Sequence, residues 1–163
     1  MTHGRDLLAQ QLERYVHPQL GFSIDLAPGL ELTEDVEGVA LVAREGVDVD
    51  GFRANLTVVV ERLDPGTGLE AYVDGSLAYQ GPTLSEWRLL DRAPAALGAS
   101  AAVRTLGLYV YDGLGLALEQ WRAVVDDHGW VVSATCAALT YPYTTDVLTL
   151  SAESLRPATR ASS

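Results

Sequence analysis

The chain has 163 residues, of which 48 % are apolar, a formal charge of −11 and a single cysteine, Cys136. That length fits one domain, with its core over about residues 6–156 and a frayed tail over 157–163, and it needs no disulfide or metal staple. One cysteine excludes a disulfide-built secreted scaffold. The acidic balance argues against nucleic acid or an anionic membrane as partner, because it repels phosphate at long range.

Leu7, Leu8, Leu12, Tyr15 and Val16 recur at helical spacing among polar residues, which predicts an amphipathic first helix ended by Pro18. Phe22, Ile24 and Leu26 alternate with Ser23 and Asp25, a short strand closed by the Ala27-Pro28-Gly29 turn. Further strands are expected near 30–32 and over 39–44, followed by an acidic loop over 46–51. Residues 52–61 form the strongest strand pattern, rich in β-branched side chains. Leu56, Val58 and Val60 share one face; Arg53, Asn55, Thr57, Val59 and Glu61 share the other.

Asp64-Pro65-Gly66 breaks the chain, and Thr67 followed by Glu70 has the spacing of a capping box. The helix it opens turns Leu69, Tyr72, Val73, Ser76 and Leu77 inward and stops near Gly81-Pro82. Strands are expected over 87–91, 102–111, 114–125 and 130–138, with a loop over 94–98. Asp112-Gly113 is a two-residue hairpin signal. Residues 126–129 make the next turn, with Gly129 able to take positive φ. Thr144 or Thr145 caps a last helix that carries Val147, Leu148, Ser151, Ala152 and Leu155 and is closed by Pro157. Residues 1–10 hold no apolar run suited to a signal peptide, and no stretch has the length of a membrane span, so a cytoplasmic location without membrane insertion is expected.

Strands dominate, most are joined by hairpins, and the long ones are apolar on both faces. Two covered faces need helices on both sides. The expected fold class is therefore α+β, a three-layer α/β/α sandwich around a mainly antiparallel, strongly twisted sheet.

The layout resembles the Mog1/PsbP-like fold, and within it the DcrB and LpqN-type bacterial proteins. The resemblance rests on Gly21-Phe22-Ser23-Ile24 before Pro28, and on residues 52–61 as an F-x-x-N-(apolar)-x-V-x-V-E strand. It extends to the helix over 69–77, to Leu118-Glu119-Gln120-Trp121 and Val132-Ser133-Ala134-Thr135-Cys136, and to the closing helix over 147–155. It covers about residues 22–155. It implies a binding or accessory protein, and it assigns no catalytic residue.

Chemistry-bearing residues fit no strong motif. Cys136 is a candidate nucleophile only if His128 reaches it, and at about 3.3 Å per residue along a strand the two stand too far apart. His3, His17 and His128 lack metal-ligand spacing. Gly113-Leu114-Gly115-Leu116 lacks the helix and lysine of a phosphate loop. Ser133 lacks a nucleophile elbow, and the carboxylate pairs sit in polar loops where they stay ionised. No metal or cofactor is expected. Trp87, Trp121, Tyr109, Tyr111, Tyr141 and Tyr143 gather on or beside the late strands, as core or as contact surface. Tyr141-Pro142-Tyr143 is read as an exposed loop.

The expectation is a non-enzymatic cytoplasmic adaptor or chaperone-like protein that recognises a protein or peptide through Arg53, Asn55, Thr57, Tyr141 and Tyr143. Sheet edges make a homodimer compatible with the pattern. The alternative is a small-molecule binder or minor hydrolase with a pocket beneath the helix over 67–81. A third reading is a structural subunit of a larger assembly.

Overall fold

The computed structural model describes residues 2–158. In chain order the elements are α1 (Thr2–Gln11), β1 (Glu13–Val16), β2 (Ser23–Leu26), β3 (Glu31–Thr33), β4 (Leu41–Arg44), β5 (Asn55–Arg62), α2 (Leu69–Thr83), β6 (Arg88–Leu97), β7 (Ser100–Tyr111), β8 (Leu114–Val125), β9 (His128–Ala137) and α3 (Tyr141–Glu153). Seven strands form one sheet in the order β3-β4-β5-β9-β8-β7-β6, and each neighbouring pair is antiparallel. Helices lie on both faces, which gives the three-layer sandwich that two apolar faces require.

One face carries the main core. Leu56, Val58, Trp121, Ala123, Trp130, Val132 and Ala134 pack there against Ala152 in the last turn of α3 and Leu155 just beyond it. The β1–β2 ribbon joins them through Phe22, Ile24 and Leu26, and the Phe22 ring meets Trp130 edge-on with centroids 5.6 Å apart. Burial of these side chains supplies most of the stabilisation, at about 25 cal/mol per Å² of apolar surface. His17 ties the ribbon to the sheet. Its Nδ1 accepts from the N–H groups of Gln19 and Leu20, so the opposite Nε2 carries the proton donated to the Ala40 carbonyl at 3.1 Å.

The opposite face is covered more lightly. Tyr72 and Val73 are the buried residues of α2. The Tyr72 ring sits directly over Gly129, where a Cβ would stand 2.5 Å from it. The Trp87 ring, just beyond the helix, lies in the same way over Gly107. Arg92 of β6 clamps the helix from outside, donating to Glu70 at 2.6 Å and Asp74 at 2.7 Å.

Several expectations need correction. The first helix stops at Gln11, and Tyr15 and Val16 belong to β1, paired with Ile24 and Ser23 of β2. An aromatic and a β-branched residue favour the extended pairing, and Arg14 bonds its cross-strand partner Asp25 at 3.3 Å. Thr67 forms no capping box: Gly68 is the N-cap, and the Thr67 hydroxyl donates to the Asp64 carbonyl at 2.7 Å. The helix continues through Pro82 to Thr83.

Residues 94–97 are strand, not loop. Pro94 is tolerated because β6 borders the sheet, where a missing N–H breaks no central ladder. In the β8–β9 turn Asp126 and Asp127 take positive φ, 50° and 61°, while Gly129 lies within β9. That glycine serves the close approach of Tyr72 instead of a turn. Residues 141–143 open α3, with Pro142 in its first turn, where a proline costs no hydrogen bond, and Thr140 stands at the N-cap.

Candidate functional site

The main-core face includes one charged cluster. Glu119, in the middle of β8, is 1 % exposed. Its Oε2 accepts from the Nε of Arg104 at 2.6 Å, from Arg104 Nη2, and from the Tyr141 hydroxyl at 2.9 Å. Thr145 and Thr149 donate to Oε1 at 3.5 and 3.4 Å. Arg104 also reaches Asp91 at 3.0 Å. Every lone pair of the buried carboxylate thus faces a donor, which is what makes a buried charge tolerable. The cluster fastens α3 to β7 and β8.

The face under α2 differs. Thr57 is opposite Ser133, Ser133 opposite Gln120, Gln120 opposite Thr105, and Thr105 opposite Arg92. A row of polar side chains therefore crosses the sheet from β5 to β6. One step along β8, Arg122 is 3 % exposed and donates to Thr105 Oγ1 at 3.4 Å, Gln80 Oε1 at 3.1 Å and Gln120 Oε1 at 3.0 Å. The Gln120 amide also donates to Ser133 at 3.0 Å. Beside the edge of α2, Glu61, Tyr72, Ser76 and Tyr79 line an open cleft of about 510 Å³.

A third feature is the end of the sheet where the 45–54 loop, the β7–β8 hairpin and the β9–α3 corner meet. Gly51 approaches Leu114, and the Ala138 N–H donates to the Gly115 carbonyl at 3.0 Å. Large apolar side chains are left exposed on these connections: Val47, Val49, Tyr111, Leu139 at 81 % and Tyr143 at 86 %. Their surroundings include the acidic residues Asp48, Asp50 and Asp112.

The residues singled out from the sequence fall around these features. Arg53 precedes β5 and donates to Asp48 at 3.3 Å, with Glu31 3.8 Å away. The Asn55 amide donates to the Arg53 carbonyl at 3.3 Å. Thr57 belongs to the polar row. Tyr143 is exposed at the end of the sheet, while Tyr141 turns inward to Glu119 and Arg104. Of the other aromatics, Trp121 is fully buried.

Cys136 is buried, accepts from Thr144 Oγ1 at 3.5 Å, and has its thiol pushed up chiefly by that burial, the reverse of what a nucleophile requires. His128 is eight residues away at the start of β9, with Nδ1 2.9 Å from the Asp126 carbonyl oxygen. Among the described residues no His, Cys, Asp and Glu side chains gather as a metal-ligand set. None of the helices there is long and apolar enough to cross a membrane.

No sequence motif assigns a role to Arg104, Glu119 or Arg122. Their signal was present: Glu119, Gln120 and Arg122 are polar residues in the middle of a long strand that must be buried on both faces.

No protein-family model matches the chain, and no curated protein does. Solved structures do. The chain is similar to LpqN of Mycobacterium tuberculosis, involved in cell envelope biogenesis, at 14 % identity and a TM-score of 0.69, over 91 % of each chain. It is similar to the cyanobacterial PsbP of Synechocystis at 14 % identity and a TM-score of 0.67, over 91 % of this chain and 93 % of that one. It is also similar to the Saccharomyces cerevisiae Ran-binding protein Mog1p at 9 % identity and a TM-score of 0.61, over 90 % of this chain and 95 % of that one. At such identities the likeness is one of architecture, and by the sheet order, the flanking helices and these three structures together the chain has the Mog1/PsbP-like fold.

Proposed function

We propose that this chain is a non-enzymatic, cytoplasmic binding or accessory protein, adaptor or chaperone-like, whose partner is a protein or peptide docking on the end of the sheet. The observation that carries the reading is the group of exposed apolar side chains there, Val47, Val49, Tyr111, Leu139 and Tyr143. Exposed aromatic and aliphatic anchors inside a polar rim are the pattern of a contact site. Arg53 and Asn55 border it at the start of β5 and in its incoming loop, and Thr57 follows further along the strand. Asp48, Asp50 and Asp112 favour a partner with basic residues around an apolar centre. The Ran-binding activity of Mog1p gives the fold a precedent for protein partners and supports the reading to that extent.

The test is a pull-down from the native host at moderate salt with the wild type, Leu139→Asp, Tyr143→Asp and Arg53→Glu, each first shown to melt like the wild type. A basic-rimmed protein retained by the wild type and lost with the two apolar variants is expected. A second copy of this chain as the retained species would make the site a homodimer contact. Retention that is equal in all four, or absent from all four, overturns the assignment.

A further inference from the structure

The central polar patch under α2 holds a charge that makes no ion pair with the described residues. Arg122 projects from β8, the middle of the three strands of the β7–β9 meander, and α2 lies over it. Its three hydrogen bonds go to neutral oxygens of Thr105, Gln80 and Gln120. Among the described residues it makes no ion pair, in contrast to Arg104, which holds both Glu119 and Asp91. Burial, the largest influence, lowers its affinity for the proton, while Tyr72 and Glu61 act on it electrostatically in the opposite sense.

Two buried donors at this spot have no hydrogen-bond partner among the described residues, the Nε of Arg122 and the Nε2 of Gln80. The two side chains are bonded to each other, so the unused donors belong to one locus. A guanidinium without a counter-charge is the least favourable group to bury, and unused N–H donors beside it add to the cost. Arginine is also the side chain whose planar fork best matches carboxylate and phosphate oxygens. The approach is the neighbouring cleft beside α2, which Tyr72, one of the two buried residues of the helix, lines.

We propose that the Arg122–Gln80 locus under α2 is a binding site for a small oxyanion, a carboxylate or phosphate group that enters from the cleft beside Tyr72. The anion accepts from Arg122 Nε and Gln80 Nε2 and supplies the direct ion pair that Arg122 makes with none of the described residues, Glu61 acting on it only through space. The site is separate from the apolar end of the sheet and holds whether or not that end binds a protein.

The experiment is thermal unfolding of the full chain in a non-coordinating buffer at fixed ionic strength, with inorganic phosphate or acetate titrated in. Wild type, Arg122→Met and Gln80→Leu are compared, so that the general stabilising effect of phosphate on any fold cancels. For the wild type, phosphate at about five times its dissociation constant raises the midpoint by about 2–4 °C. Arg122→Met abolishes the increment and, without added anion, melts no lower than the wild type, because a neutral chain of similar length removes the unpaired charge. Gln80→Leu keeps the guanidinium and shows a reduced increment, which preserves the test should Arg122→Met not fold. A response to acetate equal to that to phosphate marks a carboxylate-competent site, and a response to phosphate alone a phosphate site. Equal increments in the wild type and Gln80→Leu, or in the wild type and Arg122→Met, overturn the proposal.

Discussion

Gly129→Ala is the substitution whose outcome the geometry sets most closely. The backbone at 129 is ordinary strand, so alanine meets no conformational strain there. The obstacle is steric: the new methyl would stand 2.5 Å from Cζ of Tyr72, 2.6 Å from its hydroxyl oxygen and 2.9 Å from Cε1. Carbon atoms in contact sit about 3.5–4.0 Å apart, so the ring must retreat by about 1 Å. Tyr72 cannot retreat alone, because with Val73 it forms the buried side of α2.

Overpacking of this kind costs about 1–3 kcal/mol. For a chain of this length each kcal/mol lowers the melting midpoint by about 2–4 °C, so a fall of about 2–12 °C is expected in a calorimetric scan. The decisive assay is a double-mutant cycle with Tyr72→Ala. With the ring gone, Gly129→Ala should cost nothing, or stabilise by about 0.5–1 kcal/mol because alanine suits a strand better than glycine. If the two substitutions are additive within about 0.5 kcal/mol, the ring does not rest on Gly129 and the account of how α2 is seated is wrong.

Removing Glu119 as Glu119→Ala leaves Arg104 without its buried partner and should cost about 3–5 kcal/mol in urea unfolding, nearer the lower figure because Asp91 still holds Arg104; a loss below about 1 kcal/mol would mean the pair is solvated. Burial, then the neighbouring Glu61, pushes the Tyr72 hydroxyl well above its ordinary value, and burial with Glu34 does the same for Tyr15. The unfolded chain releases these protons near pH 10 while the folded one keeps them, so stability is intact below about pH 10 and falls as pH rises beyond it. Tyr72→Phe should flatten that alkaline decline, and an unchanged slope would contradict the shift. Cys136 should react with a thiol reagent only as fast as the protein opens, reaching its full rate in denaturant; a fast reaction in native buffer would place the thiol at the surface.

What was legible in the sequence was periodic. Leu56, Val58 and Val60 declared the core face of β5 by alternation, and Asp112-Gly113 declared its hairpin by needing two positive φ angles, which it has at 50° and 76°. Residues 12–16 misled because Leu12, Tyr15 and Val16 fit a helical period, although tyrosine and valine are by type strand formers. Pairing with β2 decided between them. Pro94 read as a loop because the sequence does not say which strand ends up at the border. The candidate sites were less visible still. The row Thr57, Ser133, Gln120, Thr105 and Arg92 exists only through the register of five strands, and Arg122 meets Gln80 across 42 residues of chain. Polar residues in a buried strand announce that partners exist, and only the fold names them.

The two borders of the sheet have a consequence for how this protein meets others. One border is β3, three residues long and opening on Glu31. The other is β6, with Pro94 in its span, a bulge between Leu89 and Asp91, and Arg88, Asp91 and Arg92 along it. A foreign strand laid against either side finds too few amides, an interrupted ladder or a line of charge. Templated β-addition, the route by which sheets polymerise, is thus disfavoured at both flanks of the seven-stranded sheet.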